Sequence, residues 1–147
     1  MEKEPLKFYL CGCWNRQDDI ASKCADLESL GLRCTEKWFD GSHDSTSMEY
    51  DALMDIRGVE MADVVIAVMT EKDYAYRGTF TELGAALALK KIIIVLSLPE
   101  ESQCKTNTFF RHIRGHHVTS WQSVLSILGA RDKAKPRTQP PPYVLIE

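Results

Sequence analysis

The sequence has no apolar stretch long enough for a membrane-spanning helix. Its longest, Ile92–Leu98, falls far short of the ~20 residues such a helix needs. The amino-terminal MEKEPLKFYL carries charges and no signal-peptide core, so the chain is expected in the cytoplasm rather than secreted. Basic residues are not in excess either: Lys plus Arg number 18 against 21 Asp plus Glu, for a net charge of −3. A dedicated nucleic-acid binder would show a basic face or stripe, so that partner class and a membrane partner are both set aside. The five cysteines are odd in number and lack CxxC spacing, which reads as reduced thiols in an intracellular compartment. Cys11 and Cys13, flanking Gly12, read as small buried hydrophobes. Cys104 with His112, His116 and His117 does not match a structural zinc pattern, so no metal is expected. Neither G-x-G-x-x-G nor G-x-x-x-x-G-K-S/T occurs, and there are no internal repeats.

What is present is an ordinary globular composition, 44% hydrophobic and 27% charged over 147 residues, enough for one domain with a real core. Leu6–Cys11 reads as a first strand that turns at Gly12. Asp18 or Asp19 can cap a helix with Ile20, Cys24 and Leu27 on one face and Gly31 as its stop. Leu32–Phe39 is a weaker second strand. Thr46-x-x-Glu49 is a capping box that should start the next helix, in which Met48, Ala52, Ile56 and Val59 recur at helical spacing. Asp63–Met69 is a third strand, Thr79–Leu89 a helix, Ile92–Leu96 a fourth strand, His116–Val118 a short fifth, and Ser120–Leu128 a last helix ended by Gly129. This alternation predicts an α/β, flavodoxin-like or Rossmann-like three-layer sandwich on a mostly parallel five-stranded sheet. The domain is expected over 1–130. The Pro-rich, basic 131–147 forms a tail that ends on Tyr143-Val144-Leu145-Ile146 and is either disordered or docked on a neighbouring subunit.

The stretch Met61–Leu96 is the most informative. Two apolar runs are joined by a polar loop and a small-residue helix whose first turn carries Glu82. In an open parallel sheet, ligands collect beyond the carboxyl ends of the strands, where such loops meet helix N-termini. Two readings of Glu82 stand side by side. Thr79-Phe80-Thr81-Glu82 is a T-x-x-E capping box, and a carboxylate aimed at that crevice is also a nucleophile. Asp55 reads as a solvated helix carboxylate, Asp63 as a turn residue, and Tyr9 as a core tyrosine on the strand face opposite Phe8 and Leu10.

These residues nevertheless come as a set. Phe8-Tyr9-Leu10-Cys11-Gly12-Cys13-Trp14, Asp55, Ala62-Asp63-Val64-Val65-Ile66-Ala67 and Gly78-Thr79-Phe80-Thr81-Glu82-Leu83-Gly84-Ala85-Ala86 together resemble the nucleoside 2-deoxyribosyltransferase family, which includes deoxynucleotide N-hydrolases. The last segment is similar to that family's G-T-x-x-E-x-G-x-A signature. The likeness runs from about Leu6 to Leu96. It implies that Glu82 attacks the sugar anomeric carbon, that Tyr9 orients this carboxylate, and that Asp55 contacts the departing base and assists its protonation. Trp14 and the turn at Gly12 would line the base pocket. Arg16, Asp63, Tyr76, Arg77, Gly78 and Thr79 complete the implied substrate-binding set. The resemblance also implies a homo-oligomer, small-molecule substrates (a 2′-deoxynucleoside or its monophosphate, and a free base), and no metal or organic cofactor, since carboxylate chemistry suffices.

The implied chemistry is physically consistent. Glycosidic cleavage passes through an oxocarbenium-like state that a carboxylate can stabilise or capture, and a nucleobase anion leaves poorly without a general acid. At a helix N-terminus Glu82 should stay ionised, as a nucleophile must. Deoxyribosyltransferases of the resembled family carry an Asp six positions before the catalytic Glu; here Tyr76 stands there, followed by Arg77, with Asp73 as a substitute acid if the loop folds differently. The family's nucleotide hydrolases lack that acid, but their Gly-rich phosphate loop is not found in Cys13-Trp14-Asn15-Arg16-Gln17, which looks more like the transferases. The expectation is therefore sugar transfer, with 5′-monophosphate hydrolysis as the alternative. A non-catalytic nucleotide-binding or interaction module on the same scaffold stands as the second alternative.

Overall fold

The computed structural model describes residues 4–41, 47–98, 107 and 116–133, with the side chains of 131–133 excepted. Among them five strands form one sheet: β1 (Lys7–Cys11), β2 (Arg33–Cys34), β3 (Val64–Met69), β4 (Ile92–Ser97) and β5 (His116–Val118). Their order is β2-β1-β3-β4-β5, and every pairing is parallel. Register pairs Phe8 with Val64 and Val64 with Ile92. β3 and β4 are buried along their whole lengths, as expected where helices cover both faces, and that is why they read as unbroken Val/Ile runs rather than alternating ones.

Four helices flank the sheet. α1 (Gln17–Ser29) follows a short 3-10 turn at Trp14–Arg16, α2 is Met48–Met61, α3 is Arg77–Ala88, and α4 is Trp121–Lys133. α1 and α4 share one face, tied by the Trp121 indole N–H donating to Asp26 at 2.8 Å and by Lys23 over the Trp121 ring. α2 and α3 pack together on the other face, α2 against β1 and α3 against β1, β3 and β4. The expected three-layer α/β sandwich is the observed one.

Several local expectations are corrected. The strand expected over Leu32–Phe39 shrinks to Arg33–Cys34, because Trp38 and Phe39 leave the strand line to bury in the core and the Trp38 indole N–H donates to the Leu10 carbonyl at 2.7 Å. α2 is capped by Ser47, whose side chain accepts from the Tyr50 amide; Thr46 lies outside the described residues. α3 starts at Arg77, two residues before the Thr79 that was expected to cap it. The last helix runs through Gly129 to Lys133. The 134–147 part of the tail, with Cys104 and His112, lies outside the described residues, whereas His116 and His117 are on β5. Among the described residues, no helix is long and apolar enough to cross a membrane.

Candidate active site

β1 and β3 are adjacent, and the chain leaves them toward opposite edges of the sheet, so the loops beyond their carboxyl ends part and leave a crevice. A cleft of about 160 Å³ lies there. Gly12 and Trp14, just past β1, form one side, and Gly78, Thr79 and Glu82 of α3 form another. Asp55 reaches in from α2, with Trp38 and Tyr74 closing the remainder. The sequence-derived residues Glu82, Asp55, Gly12, Trp14, Gly78 and Thr79 are therefore brought together. The Thr79 hydroxyl donates to the Gly12 carbonyl at 3.5 Å and joins the two sides.

Glu82 is not a cap. With Tyr76 at the N-cap position, Glu82 falls in the second helical turn, beyond the amides of the first. Its stem is part exposed, but the carboxylate oxygen Oε2 is buried and meets no partner in hydrogen-bond geometry. Burial pushes the Glu82 pKa up to about 8; the Tyr9 hydroxyl opposes the rise, and the negative charge of Asp55 adds to it. Burial thus pulls Glu82 toward its protonated form, against the expectation that it stays ionised, and its second-turn position takes it beyond the reach of the helix dipole. An unsatisfied buried carboxyl is destabilising, and such groups concentrate at functional sites. Gly78 leaves the carboxylate open: a Cβ there would stand 3.9 Å from Glu82 Oε1.

Tyr9 is fully buried on β1 beneath Glu82. Burial first, and then the neighbouring acidic groups, Glu82 ahead of the others, hold its phenol far above the ordinary range, so it remains a proton donor. The hydroxyl interacts with the Glu82 carboxylate without meeting full hydrogen-bond geometry. The neighbouring Cys11 is held protonated by the same causes, burial first. The Tyr9 ring keeps its place because α2 carries Gly58 over it: a Cβ at Gly58 would lie 2.8 Å from Tyr9 Cδ2 and 2.7 Å from Glu36 Cβ. Gly58→Ala is expected to destabilise the fold by ~1–3 kcal/mol through this overpacking. It should also lower activity by shifting Tyr9, as checked by thermal melts and steady-state kinetics on the same sample.

The remaining expected contacts divide. Trp14 is half exposed and stacks on Trp38 with centroids 5.9 Å apart, an aromatic wall suited to a planar base. Its amide donates to the Tyr74 hydroxyl at 3.4 Å, and Arg16 pairs with Glu71 at 3.0 Å, so the β1 and β3 loops are linked across the cleft mouth. Arg77 is exposed at the first residue of α3. Asp63 is corrected: it sits at the amino end of β3, at the opposite edge of the sheet, where it accepts from the Lys7 amide at 2.9 Å. Tyr76 is corrected too. It is buried in a left-handed conformation (φ 54°), its hydroxyl accepts from the Glu71 amide at 2.7 Å, and it braces the loop instead of lining the cleft. Asp73 is exposed and is not among the lining residues.

Two contributors were missed in the sequence. Trp38 carried the signal of a large aromatic just past a strand's carboxyl end, on the ligand side of the sheet. Gly58 carried that of a glycine inside a helix, which costs ~1 kcal/mol against Ala unless close packing needs it.

The chain is a doubly wound parallel α/β protein with two carboxylates lining the cleft at its switch point, where ligands of such sheets collect. The chain belongs to the nucleoside 2-deoxyribosyltransferase family, whose sequence profile matches residues 8–123. Similar solved structures include BcmB, a CMP N-glycosidase of Clostridium botulinum, with 19% identity, TM-score 0.59, and 85% of this chain and 98% of that chain covered. Another is a 2-deoxyribosyltransferase from Leishmania mexicana, with 16% identity, TM-score 0.62, and 86% and 98% covered. At these identities the likeness is one of fold. No protein of curated function matches the sequence.

Proposed function

We propose that the protein cleaves the N-glycosidic bond of a 2′-deoxynucleoside through a covalent sugar–Glu82 intermediate and passes the sugar to a second base. The observation that carries this reading is that Glu82 and Asp55 line one cleft and interact, with the Tyr9 hydroxyl buried against Glu82 behind it. In the reactive form the proton the two carboxyl groups share sits on Asp55: ionised Glu82 attacks the anomeric carbon as the carbon–nitrogen bond breaks, and Asp55 passes that proton to the departing base. Tyr9 holds the attacking carboxylate. A nitrogen of the incoming base then displaces Glu82 and returns its proton to Asp55. The cleft is smaller than the ~300 Å³ at which drug-sized pockets begin, so it holds the reacting centre while the rest of the ligand lies at the open mouth beside Trp14.

A second reading, hydrolysis of a 5′-monophosphate, is favoured by the amino end of α3. It borders the cleft with no side-chain cap, Arg77 stands beside it, and no carboxylate occupies position 76 to repel phosphate. Purified protein is incubated with each 2′-deoxynucleoside and its 5′-monophosphate, with and without an acceptor base, and the products are resolved by chromatography. New nucleoside that requires acceptor supports transfer; free base from the monophosphate alone supports the second reading. No turnover of any of them rejects both and leaves a binding module.

The pH dependence follows from Glu82. Its ionised fraction grows with pH up to about 8, so for a substrate whose base leaves without protonation kcat/KM is expected to climb by about tenfold per pH unit well below that value and to flatten above it. For such a substrate a rate that falls over this range would contradict Glu82 as the nucleophile.

A further inference from the structure

On the face of the sheet away from the cleft, two thiols converge. Cys24 is buried on α1, and Cys34 is half-buried on the edge strand β2. Cys34 is in register with Phe8, so its side chain shares the Phe8 face of the sheet, opposite to Tyr9, and that face is the one α1 covers. α1 packs against β2, so the two thiols lie together in that seam and act on each other electrostatically. Cys24 Sγ also lies 3.3 Å from Glu28 Oε1, which accepts from Lys37 Nζ at 3.0 Å, and Cys34 Sγ lies 3.5 Å from the Glu36 carbonyl. The contact with Cys24, opposed by burial and helped by the Glu36 backbone and the Lys37 charge, lowers the Cys34 thiol below its ordinary range. Cys24 is held protonated by its hydrogen bond to Cys34 and by burial. An accessible nucleophilic sulfur thus has a second thiol directly behind it, the arrangement of an attacking and a resolving cysteine.

We propose that Cys34 and Cys24 are a thiol–disulfide exchange pair, which a low-molecular-weight disulfide of the glutathione class converts to an intramolecular Cys24–Cys34 disulfide. The Cys34 thiolate attacks one sulfur of the reagent; the reagent S–S bond breaks, a mixed disulfide forms on Cys34, and the first thiolate leaves, taking up the proton that Cys34 lost. Cys24 gives its proton to the adjacent Glu28 carboxylate and attacks Cys34, expelling the second thiolate, which receives that proton through solvent. Two protein thiols are oxidised, and one disulfide is reduced to two thiols. The pair acts in this way whether or not Glu82 is a nucleophile.

The full chain, first reduced, is exposed to oxidised glutathione, alkylated to quench, and digested with trypsin. Cleavage after Lys23, Arg33 and Lys37 places Cys24 in peptide 24–33 and Cys34 in peptide 34–37. The expected product is these two peptides joined by a disulfide and released by dithiothreitol. Alkylatable Cys34 should be lost at least about tenfold faster than Cys11 or Cys13. Cys24→Ser is expected to stop at one glutathione on Cys34. Recovery of both peptides singly and fully alkylated from the wild-type chain would overturn the proposal, as would glutathione persisting on wild-type Cys34 with no linked peptide.

Discussion

Glu82→Gln is expected to lower turnover by at least about 10⁴-fold while making the folded protein more stable at pH 8. The activity loss follows if Glu82 forms the bond to the anomeric carbon, since an amide cannot replace a carboxylate nucleophile and a lost nucleophile costs orders of magnitude. The stability gain follows from the buried carboxylate. In the folded chain Glu82 holds its proton up to about pH 8, whereas in the unfolded chain it releases it near 4.5. A raised folded-state pKa favours the native state below the unfolded value, and that advantage drains away as pH rises from 4.5 through 8. Gln keeps the shape and removes the penalty. The expected gain at pH 8 is on the order of 2 kcal/mol or more, a rise of roughly 4 °C or more in melting temperature. Near pH 4 the two proteins should melt together. A helix-capping Glu82 would give the reverse, a variant less stable at neutral pH than the parent.

Asp55→Asn is expected to reduce kcat by about 10²–10⁴-fold, the range for loss of a general acid. The loss should be smallest for substrates whose base leaves without protonation, because their departure does not call on the acid. The same substitution reports on geometry. The Asp55 charge is one of the causes that raise Glu82, so its removal should move the rising limb of the kcat/KM profile to lower pH. A kcat loss without that shift would mean that Asp55 serves the base but does not couple to Glu82 electrostatically. A limb shift with kcat intact would remove Asp55 from proton transfer.

Most of the architecture was legible because β3 and β4 are fully enclosed, and β1 is enclosed beyond Lys7, so their composition follows from two-sided burial. Helix ends were less legible. Thr79-x-x-Glu82 has the pattern of a capping box, yet Tyr76 in a left-handed conformation starts α3 one turn earlier, held there by its hydroxyl bond to the Glu71 amide. That tertiary contact overrides the local signal and turns the expected cap into an enclosed carboxylate. The ionisation of Glu82 was misjudged for the same reason: a helix position is read from sequence, but burial against Tyr9 and Asp55 is not. Asp63 shows the converse. The residues read it as a turn residue and only the family likeness put it in the substrate-binding set; the strand direction places it at the amino ends, away from the cleft. Trp38 was hidden because the two-residue β2 ends early and lets an apparent strand residue swing under Trp14.

The most direct test of the central claim is to trap the sugar on the protein. Chain incubated with 2′-deoxynucleoside or its monophosphate is quenched in acid, digested and analysed by mass spectrometry. The account predicts a deoxyribosyl, or phosphodeoxyribosyl, adduct on the peptide carrying Glu82, absent from Glu82→Gln. Turnover that persists in Glu82→Gln, with no adduct on the wild-type peptide, would contradict it.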